Sequence, residues 1–192
     1  MSAAAVAPAM PATTASHLGR LYFVRFVFAA AWAATLAAIG SKLDPATVTL
    51  LILYPAFDVA AAVFDLRTTR TPALYVNMAV SALAVIGFAV AAADDIPAVL
   101  RAWGTWAIVA GLVQLFVAIK RRRELGGQWA MILSGSISVL AGASFFAQAG
   151  KATSMKLAAG YAVLGGIFFL VSAVRLMRAG NRDGRPVARA DS

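Results

Sequence analysis

Residues 97–119 read PAVLRAWGTWAIVAGLVQLFVAI and are followed at once by the basic run KRRR at 120–123. Arg101 is the one charged residue of the apolar stretch. A helix rises about 1.5 Å per residue, so the stretch is long enough to cross the roughly 30 Å hydrocarbon core of a bilayer. Basic residues at the end of such a stretch are typical of the cytoplasmic side. The stretch therefore predicts a membrane-spanning helix that ends at a cytoplasmic basic cluster.

The rest of the chain repeats this pattern. Hydrophobic residues make up 61% of the 192 residues and charged residues 13%, with a mean hydropathy of +0.81. Soluble domains are about 45–50% apolar and about 25% charged, so the composition excludes an ordinary soluble enzyme and a disordered protein. Five further apolar stretches of spanning length lie at about 20–40, 46–66, 73–93, 128–149 and 152–175.

These stretches predict an all-α fold, a six-span transmembrane helical bundle that occupies 18–178 as a single domain. Residues 1–17 are small, contain prolines and lack a helical pattern, which predicts a disordered cytoplasmic tail. Residues 179–192 are predicted to form a basic cytoplasmic tail. The connections between spans are short and polar, which leaves no room for a separate soluble domain.

The distribution of cations predicts the orientation. Four of the 17 Lys+Arg residues fall on one side of the bilayer, namely Lys42, Arg101, Lys151 and Lys156. The other thirteen fall on the opposite side, among them the run Lys120, Arg121, Arg122 and Arg123. The positive-inside rule therefore places both termini in the cytoplasm. Membrane topology accounts for this basic run and for the net charge of +9, so no nucleic-acid partner is expected. Alternatively, the run attracts anionic lipid headgroups.

Recurring residues predict three helical hairpins, at about 20–66, 73–119 and 128–175. Pro45 precedes Tyr54 by nine residues, Pro97 precedes Trp106 by nine, and Tyr161 takes the same place in the last hairpin. Each unit contains two spans, so all three keep the same orientation and form a parallel repeat. Parallel repeats differ from the inverted repeats of many secondary transporters.

Three ionisable residues fall within the predicted spans, namely Arg25, Asp58 and Asp65. Such residues are costly in a bilayer and are functional candidates by default. We predict that Arg25 pairs with Asp58 or with Asp65, because all three lie in the cytoplasmic half. The pair could lock the first two helices together. Alternatively, Asp58 takes up and releases a proton or gates an ion.

Uncharged polar residues lie at a similar depth on other spans, namely Asn77, Gln114, Ser134 and Ser138. They could line a polar cavity that faces the cytoplasm, or they could form hydrogen bonds between helices.

Small residues let helices approach closely, and Gly111, Gly142 and Gly166 are predicted to lie in such contacts. Either these contacts are all within one bundle or one of them packs a homodimer. Trp103 and Trp129 are predicted as anchors at the membrane interface.

Most catalytic chemistry is excluded. Cysteine is absent and the one histidine, His17, lies in the N-terminal tail, so thiolate or histidine metal sites and a Ser-His-Asp triad are unavailable. Motifs for phosphate binding, zinc hydrolysis or a serine nucleophile are missing as well. We therefore expect no catalytic residue, metal or cofactor.

The stretch GTWAIVAGLVQLFVAIKRRRELGGQWAMILSGSISVLAG at 104–142 resembles the HdeD-like family of small bacterial membrane proteins built of two-helix repeats. The matching features are Trp106 to Gly111, the basic helix end, the turn Gly127 to Trp129, and the small residues from Ser134 to Gly142. The similarity covers about 97–178, whereas the first hairpin departs from it with Asp58 and Asp65.

The resemblance implies a multi-pass protein of the bacterial inner membrane with a non-enzymatic role in acid or general stress resistance. Such a role would act on the stability of the membrane or of a partner, or on proton entry. The alternatives are a small ion or proton channel or transporter that uses Asp58, and an accessory subunit of a membrane complex. Expected partners are the lipid bilayer and either a second copy of the chain or another membrane protein.

Overall fold

The computed structural model describes residues 12–67, 70–125 and 129–183, and these form six helices. They are α1 (Ala12–Ile39), α2 (Pro45–Leu66), α3 (Pro72–Ala91), α4 (Ile96–Leu125), α5 (Trp129–Ala149) and α6 (Lys156–Asp183). Each contains a segment long and apolar enough to cross a membrane. The prediction of an all-helical bundle with six spans is thus confirmed, and no strand occurs in the described ranges.

The helix ends differ from prediction mainly on one side of the bundle. Helix α1 begins at Ala12, inside the segment predicted as a tail, and α6 continues to Asp183. Residues 1–11 and 184–192 of the two predicted tails lie outside the described residues. Helix α2 begins at Pro45, and the side chain of Asp44 before it accepts a hydrogen bond of 2.8 Å from the Thr47 backbone N–H. The same arrangement starts α4, where Asp95 accepts from the Ala98 N–H at 2.7 Å.

The six helices form a closed ring. Each helix contacts its neighbours in sequence, and α6 returns to contact α1. The most extensive contacts are α1 with α6, α4 with α5, and α2 with α3. These pairs join helices of different predicted hairpins, while the two helices of one hairpin touch less extensively. The equivalence of the three hairpins stays a prediction.

Glycines account for the closeness of α4 and α5. A Cβ added at Gly142 would lie 2.6 Å from the Gly104 carbonyl oxygen, and one added at Gly111 would lie 2.7 Å from that of Gly135. The two backbones therefore touch at two levels. Gly166 faces α1 more loosely, since a Cβ there would lie 3.4 Å from the Ala29 Cβ. The sequence did not suggest Gly104 and Gly135 as the partners.

One end of the ring, which we call the basic end, is where α1, α3 and α5 begin and α2, α4 and α6 end. It carries the exposed residues Arg20, Arg67, Arg70, Lys120, Arg175 and Arg178. The opposite end, the far end, carries the three hairpin loops. Two of these loops are tied together by a hydrogen bond of 2.8 Å from the Met155 N–H to the Gly40 carbonyl.

Aromatic rings fill the bundle axis towards the far end. Trp103 of α4 lies between Trp32 of α1, at 5.2 Å between ring centroids, and Phe88 of α3, at 4.8 Å. We call these three residues the aromatic plug. Large apolar side chains complete the fully buried core on the far side of the plug, namely Leu36, Leu51, Val99, Leu100 and Met155.

The burial of Trp103 corrects its predicted place at the membrane interface. Its side chain is fully buried, whereas Trp129 at the basic end is 58% exposed. Arg175 lies over the Trp129 ring, 5.2 Å from the centroid. The outer surface of the bundle is apolar, with Leu83, Val90, Phe116 and Leu140 among its most exposed side chains. Such a surface is suited to contact with lipid.

Candidate functional site

The structure brings Arg25 of α1 and Asp58 of α2 into a salt bridge, and each side chain is only 12% exposed. The Arg25 guanidinium also lies over the ring of Phe169 on α6, 4.4 Å from its centroid. Burying either charge alone would be costly, whereas a paired and hydrogen-bonded charge is tolerated. The pair joins the first two helices at a depth of about eight residues from the end of α2.

The second carboxylate oxygen of Asp58 is held by α3. Asn77 donates from Nδ2 at 2.9 Å and the Ser81 hydroxyl donates at 2.7 Å, both to Oδ2. Asp58 thus receives hydrogen bonds from three side chains on two other helices. A carboxylate with this many donors is well stabilised in its charged form.

Ser81 was not predicted as a site residue, although it is fully buried and contacts Asp58 directly. It follows Asn77 by four residues, which places both on one face of α3. That spacing was the available signal.

Asp65 is placed differently from Asp58. It is buried, with 7% exposure, and its Oδ1 has no hydrogen-bond partner in the described part of the chain. Of the two carboxylates predicted as partners of Arg25, the structure thus pairs Asp58, while Asp65 forms no ion pair with a described residue.

A central cavity of about 430 Å³ lies on the axis of the ring. All six helices contribute to its wall, which includes Arg25 and Asp58 together with all four predicted polar residues, Asn77, Gln114, Ser134 and Ser138. Six aromatic residues also line it, namely Tyr22, Tyr54, Trp106, Tyr161, Phe168 and Phe169. The Tyr161 hydroxyl donates to the Ser138 hydroxyl at 3.1 Å.

A second cavity of about 320 Å³ lies at the basic end. Asp65 lines it, together with Leu18 at the start of α1 and Thr71 before α3. The two cavities adjoin, because five residues belong to the walls of both, namely Tyr22, Asn77, Ala110, Gln114 and Met131. We call the two cavities together the vestibule. It extends from the aromatic residues near the middle of the bundle to the basic end.

A third cavity of about 320 Å³ lies between α3 and α4. Its lining is almost entirely apolar, and Gly87 in its wall has open space where a side chain would lie. The Trp106 side chain separates this cavity from the central one, since it lines both. The indole Nε1 of Trp106 is buried and has no hydrogen-bond partner among the described residues.

The remaining predicted residues add no further chemistry to the site. Lys120 is exposed at the basic end of α4, and the side chains of Arg121, Arg122 and Arg123 lie outside the described residues. Over the described ranges, no group of three or more His, Cys, Asp or Glu residues is gathered as a metal would require. The site is therefore a polar vestibule with a fixed ion pair and one carboxylate that has no ion-pair partner in the described part of the chain.

Comparisons of the chain with protein-family models, with curated proteins and with solved structures find no match. The resemblance to the HdeD-like family stays a prediction.

Proposed function

We propose that this protein is a non-enzymatic, multi-pass transporter of the bacterial inner membrane that binds a small polar solute or ion in the central cavity. The observation that carries the proposal is the Arg25–Asp58 salt bridge in the wall of a cavity to which all six helices contribute. Charged residues at this depth usually mark substrate or ion pathways. A purely structural ion pair has no need of an adjoining cavity.

The basic end faces the cytoplasm in this proposal, by the positive-inside rule. The vestibule then receives solute from the cytoplasm, and the aromatic plug closes the way to the other side. An open pore does not fit this arrangement, because Trp103 is fully buried between its neighbours. Transport would require the plug to open while the vestibule closes.

Asp58 acts here as a fixed counter-charge and not as the titrating group. Arg25, Asn77 and Ser81 all donate to it, so protonation of Asp58 would disrupt an established set of hydrogen bonds. The Arg25–Asp58 pair instead keeps the cavity polar and orients the first three helices around it.

Two glycines of α6 provide a matched test. A Cβ at Gly165 would lie 3.9 Å from the Tyr54 hydroxyl, in the wall of the central cavity, so Gly165→Leu is expected to fill that cavity without a backbone clash. Gly160 is exposed with open space around it, so Gly160→Leu serves as the control. Both variants are expected to fold.

The measurement is a thermal-shift screen of the three proteins in lipid nanodiscs against amino acids, sugars, inorganic cations and organic ammonium ions. We expect one solute class to raise the Tm of the wild type and of Gly160→Leu but not of Gly165→Leu. Flux of that solute into liposomes then tests transport. A panel that stabilises none of the proteins, or that stabilises Gly165→Leu equally, would contradict binding in the cavity.

A second candidate is the role in acid or general stress resistance, which rests on the similarity of residues 104–142 to the HdeD-like family. A deletion strain complemented with the wild type tests it by survival after acid challenge. Unchanged survival of the deletion strain would remove this candidate and leave the cavity proposal untouched. Co-purification of one stoichiometric membrane partner would favour an accessory subunit over both.

A further inference from the structure

The unpaired carboxylate in the vestibule is the feature that the Arg25–Asp58 pair leaves unexplained. Asp65 is 7% exposed, and its Oδ1 lies without a partner in the wall of the basic-end cavity. A buried carboxylate oxygen without a donor is unfavourable in a folded protein. A positive charge in the adjoining cavity would offset the cost of burying this carboxylate in its charged form.

With both carboxylates ionised, the charged side chains of the vestibule sum to one negative unit. The charged residues in the described walls of the two cavities are Arg25, Asp58 and Asp65. Arg25 and Asp58 neutralise each other in their salt bridge. Because Asp65 has no matching cation there, the vestibule favours a monovalent cation and disfavours an anion.

The lining favours an organic cation over a metal ion. No second acidic residue joins Asp65 in a cluster of metal ligands among the described residues, and the cavities are much larger than a bare ion. Tyr22 lines both cavities, and aromatic faces attract ammonium groups. Arg25 already uses one ring in this way, since it lies over Phe169.

We propose that Asp65 recognises a small monovalent organic ammonium ion, whose charged group it holds in the basic-end cavity while the apolar part extends along the vestibule towards the central cavity. This inference rests on the proposed solute-binding function and names the class of solute. Asp58 is not the recognition group, because its two oxygens are already occupied by Arg25, Asn77 and Ser81.

Three probes with the same ring and different charge test the inference: benzylammonium, benzyl alcohol and phenylacetate. Their binding to the protein in nanodiscs is measured by calorimetry in about 0.15 M salt, which screens exposed charges more than about 8 Å apart. That condition limits the influence of the exposed Arg67 and Arg70 at the basic end. We expect benzylammonium to bind the wild type at least about ten-fold more tightly than either other probe.

Two substitutions separate charge from shape. Asp65→Asn keeps the size of the side chain and should abolish the preference for benzylammonium over benzyl alcohol. Asp65→Glu keeps the charge and should retain the preference. If Asp65→Asn fails to fold, the wild type and Asp65→Glu are compared across the three probes instead. A preference for phenylacetate or for benzyl alcohol in both of these proteins overturns the inference.

The outcomes distinguish this inference from the proposed function. Benzyl alcohol or phenylacetate bound most tightly by the wild type, and lost in Gly165→Leu, would overturn the cation class but support a solute site in the central cavity. Absence of benzylammonium binding also overturns the inference, while the wider solute panel decides on the proposed function. Benzylammonium binding that survives in both Asp65→Asn and Gly165→Leu would place it elsewhere and contradict both.

Discussion

The two ends of the bundle axis differ, although the same six helices form both. At the far end Trp103 fills the axis between Trp32 and Phe88. Seven residues along the same helix, Ala110 lies in the walls of the central and the basic-end cavities. Residues seven apart lie on nearly the same face of a helix.

Side-chain volume on the bundle axis decides where this ring is closed and where it is open. Helices α4 and α5 are in backbone contact at both levels, through Gly104 and Gly142 at one and Gly111 and Gly135 at the other. The helices therefore do not separate between these two levels. The cavity exists because residues such as Ala110, Ser138 and Gly165 are small where Trp103 and Phe88 are large.

Removing the plug should have the largest effect. Trp103→Ala leaves a large void in a fully buried position and is expected to lower the free energy of unfolding by about 4 kcal/mol. The apolar layer on the far side of the plug still closes the axis, so the expected effect is on stability. Denaturant unfolding measures it. Trp129→Ala, at an exposed position, is the control. A fully stable Trp103→Ala variant would contradict the role of the plug.

Breaking the ion pair should have the next largest effect, because the open half depends on it. Arg25→Gln leaves Asp58 charged and buried with only Asn77 and Ser81 as donors, and should cost about 3 kcal/mol of stability. The double variant Arg25→Gln with Asp58→Asn should be more stable than Arg25→Gln alone, since no buried charge is left unpaired. Unfolding of the wild type, the two single variants Arg25→Gln and Asp58→Asn, and the double variant in detergent gives the coupling energy. Strictly additive losses would mean that the two side chains do not depend on each other.

The sequence was sufficient for the six spans because length and hydropathy alone require them in a bilayer. It also drew attention to Arg25, Asp58 and the four polar residues, because polar groups inside apolar stretches are conspicuous. The sequence did not show which neighbouring helices of the ring contact each other most extensively, since an apolar helix of this kind can pack on either neighbour. Trp103 illustrates the reason, because a tryptophan near a span end suits an interface as well as a core.

The position of Asp65 within a span suggested it as a site residue, but the sequence did not show whether its carboxylate is paired. Whether a carboxylate near the end of a span is paired depends on side chains from other helices, and these are many residues away in the chain. The same holds for Gly104 and Gly135, whose importance lies entirely in what they face across the α4–α5 contact.

The smallest effect is expected at the helix caps, which differ between the two ends of the bundle. At the far end Asp44 caps α2, and hydrogen bonds from Thr47 keep the pKa of that carboxyl below its usual value. At the basic end Thr71 precedes α3 without a side-chain cap. The Asp44 contribution is complete above the usual carboxyl pKa of about 4 and declines as the pH falls through the lower pKa of the folded state. Melting curves from pH 7 to about pH 3 should therefore show Asp44→Ala less stable than the wild type, with a difference that shrinks at the acid end. Thr71→Ala should show a smaller difference that does not depend on pH, and a wild-type advantage over Asp44→Ala that grows on acidification would contradict the assignment of the cap.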